Sequence, residues 1–301
     1  MSRSPVVIAG VVGLVGALVG TAEGQGPSGP TFSMSVGAIP FSDASRPSPA
    51  PGMPFDSRLR ARSLSVGVSI PQSLGEGRTS LTHEVAYHGI DFDFRAVSAA
   101  VPGSPLADRV HSVRYGLTVS HGLSPRWMLL GVVAPGLASD FHGDVGDDLT
   151  LQAVAGLIRA FSPRVSAGFG LAYSTQFGTP APLPALSFDW NNGENLRAHV
   201  LAPVVMELWY APHPRVELGV GLQGQGDRYG LDGDAEGGSV DLDYTEIGAG
   251  PTVLWRATPR VRVRVQSAFT LYREYDIRGD GLGSLDLDRT RSLVVGLELG
   301  G

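Results

Sequence analysis

The sequence predicts an all-β chain: an antiparallel up-and-down transmembrane β-barrel of 12–14 strands, preceded by an N-terminal signal peptide. Three observations predict it. From residue 59 onward apolar residues fall at every second position, the period of a strand with one face in an apolar medium and the other in a polar one. Short turns, Pro125-Arg126, Pro163-Arg164, Pro214-Arg215 and Pro259-Arg260, each join two such runs, while longer polar segments separate the hairpins on the other side. The first residues have the layout of an export signal.

Composition agrees. The 301 residues hold 41 glycines and 22 prolines without a collagen period, a punctuation that helices tolerate poorly. With 43% hydrophobic residues the chain is not disordered. All 23 basic residues are arginine and the net charge is -6, so nucleic acid meets no general attraction. The absence of cysteine excludes disulfides, thiolate nucleophiles and cysteine zinc sites.

Taken in order, Arg3 precedes an apolar run from Val6 to Val19, followed by Gly20, Thr21 and Ala22. This reads as a cleaved signal peptide over residues 1–22, since the run is shorter than the ~20 apolar residues of a spanning helix. Residues 23–30 form a flexible N-terminal segment, and 31–301 the barrel. An opening strand at 31–41 and a loop rich in Pro and Ser at 42–56 precede the run Leu64, Val66, Val68, Ile70. The alternation returns in Val113, Tyr115, Leu117, Val119, in 149–161, and in Val165 to Tyr173. It continues in Val216 to Leu222, in Val261, Val263, Val265, Phe269, and in Leu293, Val295, Leu297, Leu299. Proline ends each run because it cannot serve an interior ladder. Segments 136–148, 226–239 and 276–284 read as the long loops. Short turns on one side and long loops on the other are the asymmetry of outer-membrane barrels, periplasmic and extracellular respectively. Trp127, Phe161, Tyr210 and Trp255 lie near the short turns, as an interfacial girdle would. About fourteen strands result, with twelve as the alternative; the count turns on residues 183–210, and it changes if Pro203 is a kink and not a turn.

Within that region Pro184, Leu186, Phe188 and Trp190, the polar turn Asn191-Asn192-Gly193, then Leu196, Leu201, Pro203 and Tyr210 carry a recognisable spacing. It resembles a family of bacterial outer-membrane-like barrels, domain of unknown function 6268. The resemblance implies a barrel and transfers no catalytic or binding residue. The C-terminal Leu297-Glu298-Leu299-Gly300-Gly301 lacks the terminal aromatic that resembling proteins offer to the assembly machinery.

Charged residues at the alternate positions of the strands are expected to line the lumen: Arg114, Glu207, Glu217, Arg262, Arg264 and Glu298. They serve either as a lattice that stiffens a narrow barrel or as the lining of a polar pore. Asp140, Asp144 and Asp147, and the cluster Asp232, Asp234 and Glu236, are weak candidates for a divalent cation, neither matching a complete calcium loop. The glycine spacing from Gly219 to Gly224 imitates a dinucleotide loop, but alternation runs straight through it. His83 with His88, or His111 with His121, could supply a base for a barrel-embedded hydrolase, yet no nucleophile elbow accompanies them. No enzyme and no cofactor is therefore expected. The expected protein is an outer-membrane barrel, a narrow passive channel or a structural barrel, whose partners are outer-membrane lipid and the assembly machinery. The competing architecture is a secreted soluble β-sandwich that binds a ligand, in which the apolar face would fill a dry interior.

Overall fold

The computed structural model describes residues 29–45, 57–75, 77–96, 109–141, 148–175, 182–232, 239–278, 283–287 and 289–300. The expected signal peptide lies outside them. The strands are β1 (Thr31–Ser45), β2 (Ser57–Leu74), β3 (Thr79–Ala96), β4 (Arg109–Ser124), β5 (Trp127–Ser139), β6 (Leu149–Ser162) and β7 (Val165–Ser174). Then follow β8 (Leu183–Asn191), β9 (Leu196–Ala202), β10 (Val205–His213), β11 (Val216–Asp232), β12 (Ser239–Thr258) and β13 (Val261–Arg278). The last strand is broken into β14 (Gly283–Leu287) and β15 (Arg291–Gly300). Each pairs antiparallel with its sequence neighbours, and β1 pairs with β15 from Thr31–Gly300 to Ala38–Leu293, closing a barrel of fourteen strands.

Side-chain exposure is inverted relative to a water-soluble protein. Val36, Val85, Phe169, Leu171, Leu186, Val220 and Trp255 are all more than half exposed, while Glu207 and Glu217 are 7% and 5% exposed. The apolar face thus looks outward, which rules out the sandwich. On β2 the outward apolar residues run from Leu64 to Leu74. Ten steps of ~3.3 Å along a strand tilted by ~40° rise about 25 Å, the height of a bilayer's apolar band.

Fourteen strands are reached because Pro203 is a turn: β9 ends at Ala202, Val204 N–H donates to the Leu201 carbonyl at 2.8 Å, and β10 returns in register against β9. The four Pro-Arg turns sit at one end with two others, Gly75–Arg78 and Asn192–Asn195. In the latter, Asn192 Oδ1 accepts from the backbone N–H groups of Glu194, Asn195 and Leu196. Trp127, Phe161, Tyr210 and Trp255 are exposed at that end, and the Arg159 guanidinium lies over the rings of Trp127 and Phe161 at 5.4 and 5.0 Å.

Strand length departs from the ~10 residues with which a tilted strand crosses a bilayer. β11, β12 and β13 have 17, 20 and 18 residues, whereas β8, β9 and β10 have 9, 7 and 9. Residues 42–45, 136–139, 226–232, 239, 276–278 and 283–284, expected in loops, belong to strands. The apolar alternation stops at the edge of the band, but the backbone ladder continues above it. Beyond Gln223 β11 has outgrown β10, and it leans toward β5, meeting it in one parallel bridge between Gly230 and Ser139. Close backbone approach explains part of the glycine content: a Cβ on Gly250 would stand 2.0 Å from the Ser267 carbonyl oxygen, and one on Gly170 2.3 Å from that of Ala155.

Candidate functional site

The inward face of the sheet has two characters. On β1 and β2 it presents Ser33, Ser35, Ser63, Ser65 and Ser69, paired across the ladder with each other, with glycine or, for Ser69, with Thr31. Their short side chains leave room. On β9 to β13 the same face carries long, charged or amide side chains, because Arg197, Glu207, Glu217, Arg256, Arg262 and Arg264 alternate with outward apolar neighbours.

These groups form two linked clusters. Glu207 accepts from Trp209 Nε1 at 3.0 Å, from Gln223 Nε2 at 2.9 Å and from an Arg264 guanidinium nitrogen at 3.2 Å. Gln266 Nε2 donates to Gln223 Oε1 at 2.9 Å, which fixes the orientation of that amide. Glu217 accepts from Arg197 at 2.5 Å and from Arg256 on its other oxygen. Arg197 and Arg264 stand 5.3 and 5.9 Å from the Trp209 ring, so one indole joins the two clusters. Both carboxylates are nearly buried while their arginines remain partly exposed, at 28–38% of the side chain. Burying a carboxylate is costly unless it is paired and hydrogen-bonded in this way.

Of the six residues singled out from the sequence, Glu207 pairs with Arg264 and Arg262 with Glu298, at 3.2 Å in each case. Glu217 belongs to Arg197 and Arg256. Arg114 lies on the opposite wall, 3.6 Å from Asp227 on β11. Sequence reasoning missed Arg197, Arg256, Asp227 and both glutamines. Arg197 and Arg256 obey the same alternation and could have been found by it, whereas Asp227 sits in a segment read as loop.

Above this level the interior changes. Val110 and Tyr229 are fully buried, and Ile90, Phe92, Leu242 and Tyr244 are nearly so. All lie at the end where β11 approaches β4 and β5, so the mouth opposite the short turns is narrowed by apolar side chains.

The histidines singled out from the sequence each bond a hydroxyl neighbour and not one another. His83 Nδ1 pairs with the Tyr115 hydroxyl at 2.8 Å and His111 Nδ1 with that of Tyr87 at 2.7 Å, both on the outer face. His88 Nδ1 meets Ser65 Oγ at 2.7 Å inside, and His121 Nδ1 meets Thr79 Oγ1 at 2.8 Å. His199, not singled out from the sequence, has its Nδ1 2.6 Å from Asp189. That is the orientation of a general base, while its buried Nε2 has no hydrogen-bond partner among the described residues. Among the described residues no group of three or more His, Asp or Glu is placed to hold a metal. Asp140 stands 3.5 Å from Ser139 Oγ. Asp144, Asp147, Asp234 and Glu236 lie outside the described residues, as does the Asp232 side chain. The Gly219–Gly224 segment is uninterrupted strand paired with β10 and β12.

Solved structures of similar fold include the translocator domain of the autotransporter NalP from Neisseria meningitidis, 11% identical, with 96% of this chain and 95% of that one covered and a TM-score of 0.42. An outer membrane channel from Pseudomonas putida F1 is 11% identical over 91% and 96% of the two chains, with a TM-score of 0.48. The toluene transporter TodX of P. putida is 8% identical over 91% of each, with a TM-score of 0.49. Such distant likeness carries nothing about the site. Among curated protein sequences none matches the chain. A family model does: over residues 79–285, more than half of its length, the chain matches Domain of unknown function (DUF6268), and it belongs to that family.

Proposed function

We propose that the protein is a passive outer-membrane channel of narrow, polar bore. It is exported through a cleaved signal peptide over residues 1–22 and inserted by the barrel-assembly machinery. One observation carries the reading: the inward face opposes a serine-lined wall on β1 and β2 to a wall of arginines and carboxylates on β9 to β13. Arg114, Glu207, Glu217, Arg262, Arg264 and Glu298 then line the passage. A lumen carrying both signs of charge lets small polar solutes exchange water for side-chain hydrogen bonds, and it disfavours apolar ones. Because the charges are paired, selectivity for anions or cations is weak. The outward apolar band of about 25 Å supports the membrane location.

A second reading, a structural barrel closed to solutes, is favoured by the narrowed mouth, where Arg114 meets Asp227 and Gly230 meets Ser139. Single-channel recording of the refolded chain in planar bilayers separates the two. Stable steps whose ion selectivity shifts in an Arg262→Ala, Arg264→Ala double variant support the channel. A chain that inserts, migrates as a heat-modifiable barrel and conducts nothing overturns it.

A further inference from the structure

The barrel wall is interrupted at one level. β1 pairs with β15 as far as Ala38–Leu293 and with β14 only from Ala44–Leu287. Its register against β2 shifts between Ile39 and Ser42. β13 leaves β15 at Phe269–Arg291 and takes up β14 at Glu274–Asp286. A pocket of about 490 Å³ lies beside these interruptions, lined on the outer face by Ala38, Pro40 and Leu293 together with three arginines, Arg60, Arg62 and Arg291.

The arginines stand on the outer surface. Arg60 and Arg62 continue the outward register of Leu64, Val68 and Ile70, and Arg291 continues that of Leu293, Val295 and Leu297. Along β2 and β15 they are the first outward residues beyond the apolar run at the end opposite the short turns, the level at which a bilayer presents its headgroups. Arg60 is engaged with Asp93 at 2.5 Å, and the neighbouring Asp91 with Arg109. Arg291 lies over the Phe269 ring at 4.8 Å, which leaves its guanidinium edge open to an anion. Arg62 is exposed and has no ion-pair partner among the described residues. The pocket therefore offers two cations beside an apolar hollow, on the lipid side of a membrane protein.

We propose that this pocket binds the phosphate-bearing headgroup of an outer-leaflet lipid, with Arg62 and Arg291 on the phosphate oxygens and the Ala38 and Leu293 side chains against the first carbons of an acyl chain. Guanidinium groups match phosphate geometry. The apolar lining suits an amphiphile and gives a free ion nothing. The assignment rests on the membrane orientation proposed above, with the short turns in the periplasm, and is independent of whether the lumen conducts.

The test is native mass spectrometry of the full chain refolded in non-ionic detergent and titrated with lipid A. A single adduct is expected, weakened roughly thirtyfold in an Arg62→Gln, Arg291→Gln variant, the loss due to two membrane-surface cations. It should survive in large part in the Arg62→Lys, Arg291→Lys variant, and in full in an Arg126→Gln, Arg260→Gln variant that removes the same charge at the opposite rim. Equal binding by the first variant and the wild type overturns the proposal. So does an equal loss in the rim variant, or displacement of the lipid by inorganic phosphate, which would make the site one for a free anion. Should the first variant fail to fold, Ala38→Trp fills the hollow, and undiminished binding by it is equally fatal. A chain that binds lipid A selectively and never conducts sinks the channel alone.

Discussion

Glu207→Gln changes one atom at the centre of the charge cluster, and its cost can be worked out from the geometry. One carboxylate oxygen accepts from Gln223 and Arg264, and the other from Trp209 Nε1. A glutamine keeps its oxygen toward the first two donors, since Gln266 holds the Gln223 amide in place. Its NH₂ then faces the indole N–H, donor against donor. A buried donor left unmatched costs ~1–3 kcal/mol. Losing the charge beside Arg264 adds about 1 kcal/mol, discounted because that guanidinium is one-third exposed and screened. The expected destabilisation is about 2–4 kcal/mol, measured by guanidinium unfolding of the refolded barrel in micelles. A Trp209→Phe substitution should cost less in the Glu207→Gln background than in the wild type, because it removes the opposing donor. A change under ~0.5 kcal/mol, the range of an ordinary surface substitution, would refute the reasoning.

Three further outcomes follow from the same structure. Val220→Arg, at a position 55% exposed, would be harmless on a protein in water but should lower barrel stability in bilayers by ~2–4 kcal/mol; equal stability would argue against the apolar band. Gly250→Ala sets a methyl 2.0 Å from the Ser267 carbonyl and must push β12 from β13, so unfolding in micelles should show a loss of about 1–3 kcal/mol. Asp227→Asn loosens the contact with Arg114 across the narrowed mouth, and single-channel conductance should rise; an unchanged step places the constriction elsewhere.

What was legible in the sequence was whatever the bilayer dictates. The alternation of Leu64 to Ile70 or Leu293 to Leu299 is imposed by lipid on one face, so strand identity, face and the inward position of Arg262 and Arg264 could be read from it directly. Above the band both faces meet polar surroundings, and the code lapses. Residues 226–232 carry Asp227, Arg228 and Tyr229 without alternation, yet they form the top of β11, held by a ladder with β12 from Val216–Trp255 to Asp232–Ser239. Backbone pairing leaves no side-chain signature there, so the narrowed mouth was hidden. The partners of Glu217 were hidden for a different reason. Arg197 and Arg256 lie 20 and 39 residues from it, and only the order of strands around the barrel brings them together.

The short hairpin of β9 and β10 can be argued one step further. Eight residue steps lead from Val216 at the base of β11 to Gly224, the residue that meets the hairpin tip. At ~3.3 Å per step and a tilt of ~40° the tip stands about 20 Å above the short turns, below the top of a 25 Å band. A turn at that depth has no water to satisfy it. Its chemistry is suited to this: Pro203 has no N–H, Val204 donates its own to the Leu201 carbonyl at 2.8 Å, and the Val204 carbonyl accepts from Gly224 N–H at 2.9 Å. The side chains of Val204 and Val205 are each 3% exposed. Val204→Asp should therefore behave as a buried charge, with a cost of ~3 kcal/mol or more and poor refolding into bilayers, where an ordinary extracellular loop would accept it. Refolding yield in phosphatidylcholine vesicles, compared with that of the Val204→Ala variant, measures this. A Val204→Asp chain that refolds as well as the Val204→Ala chain would place the tip in water and the top of the band below it.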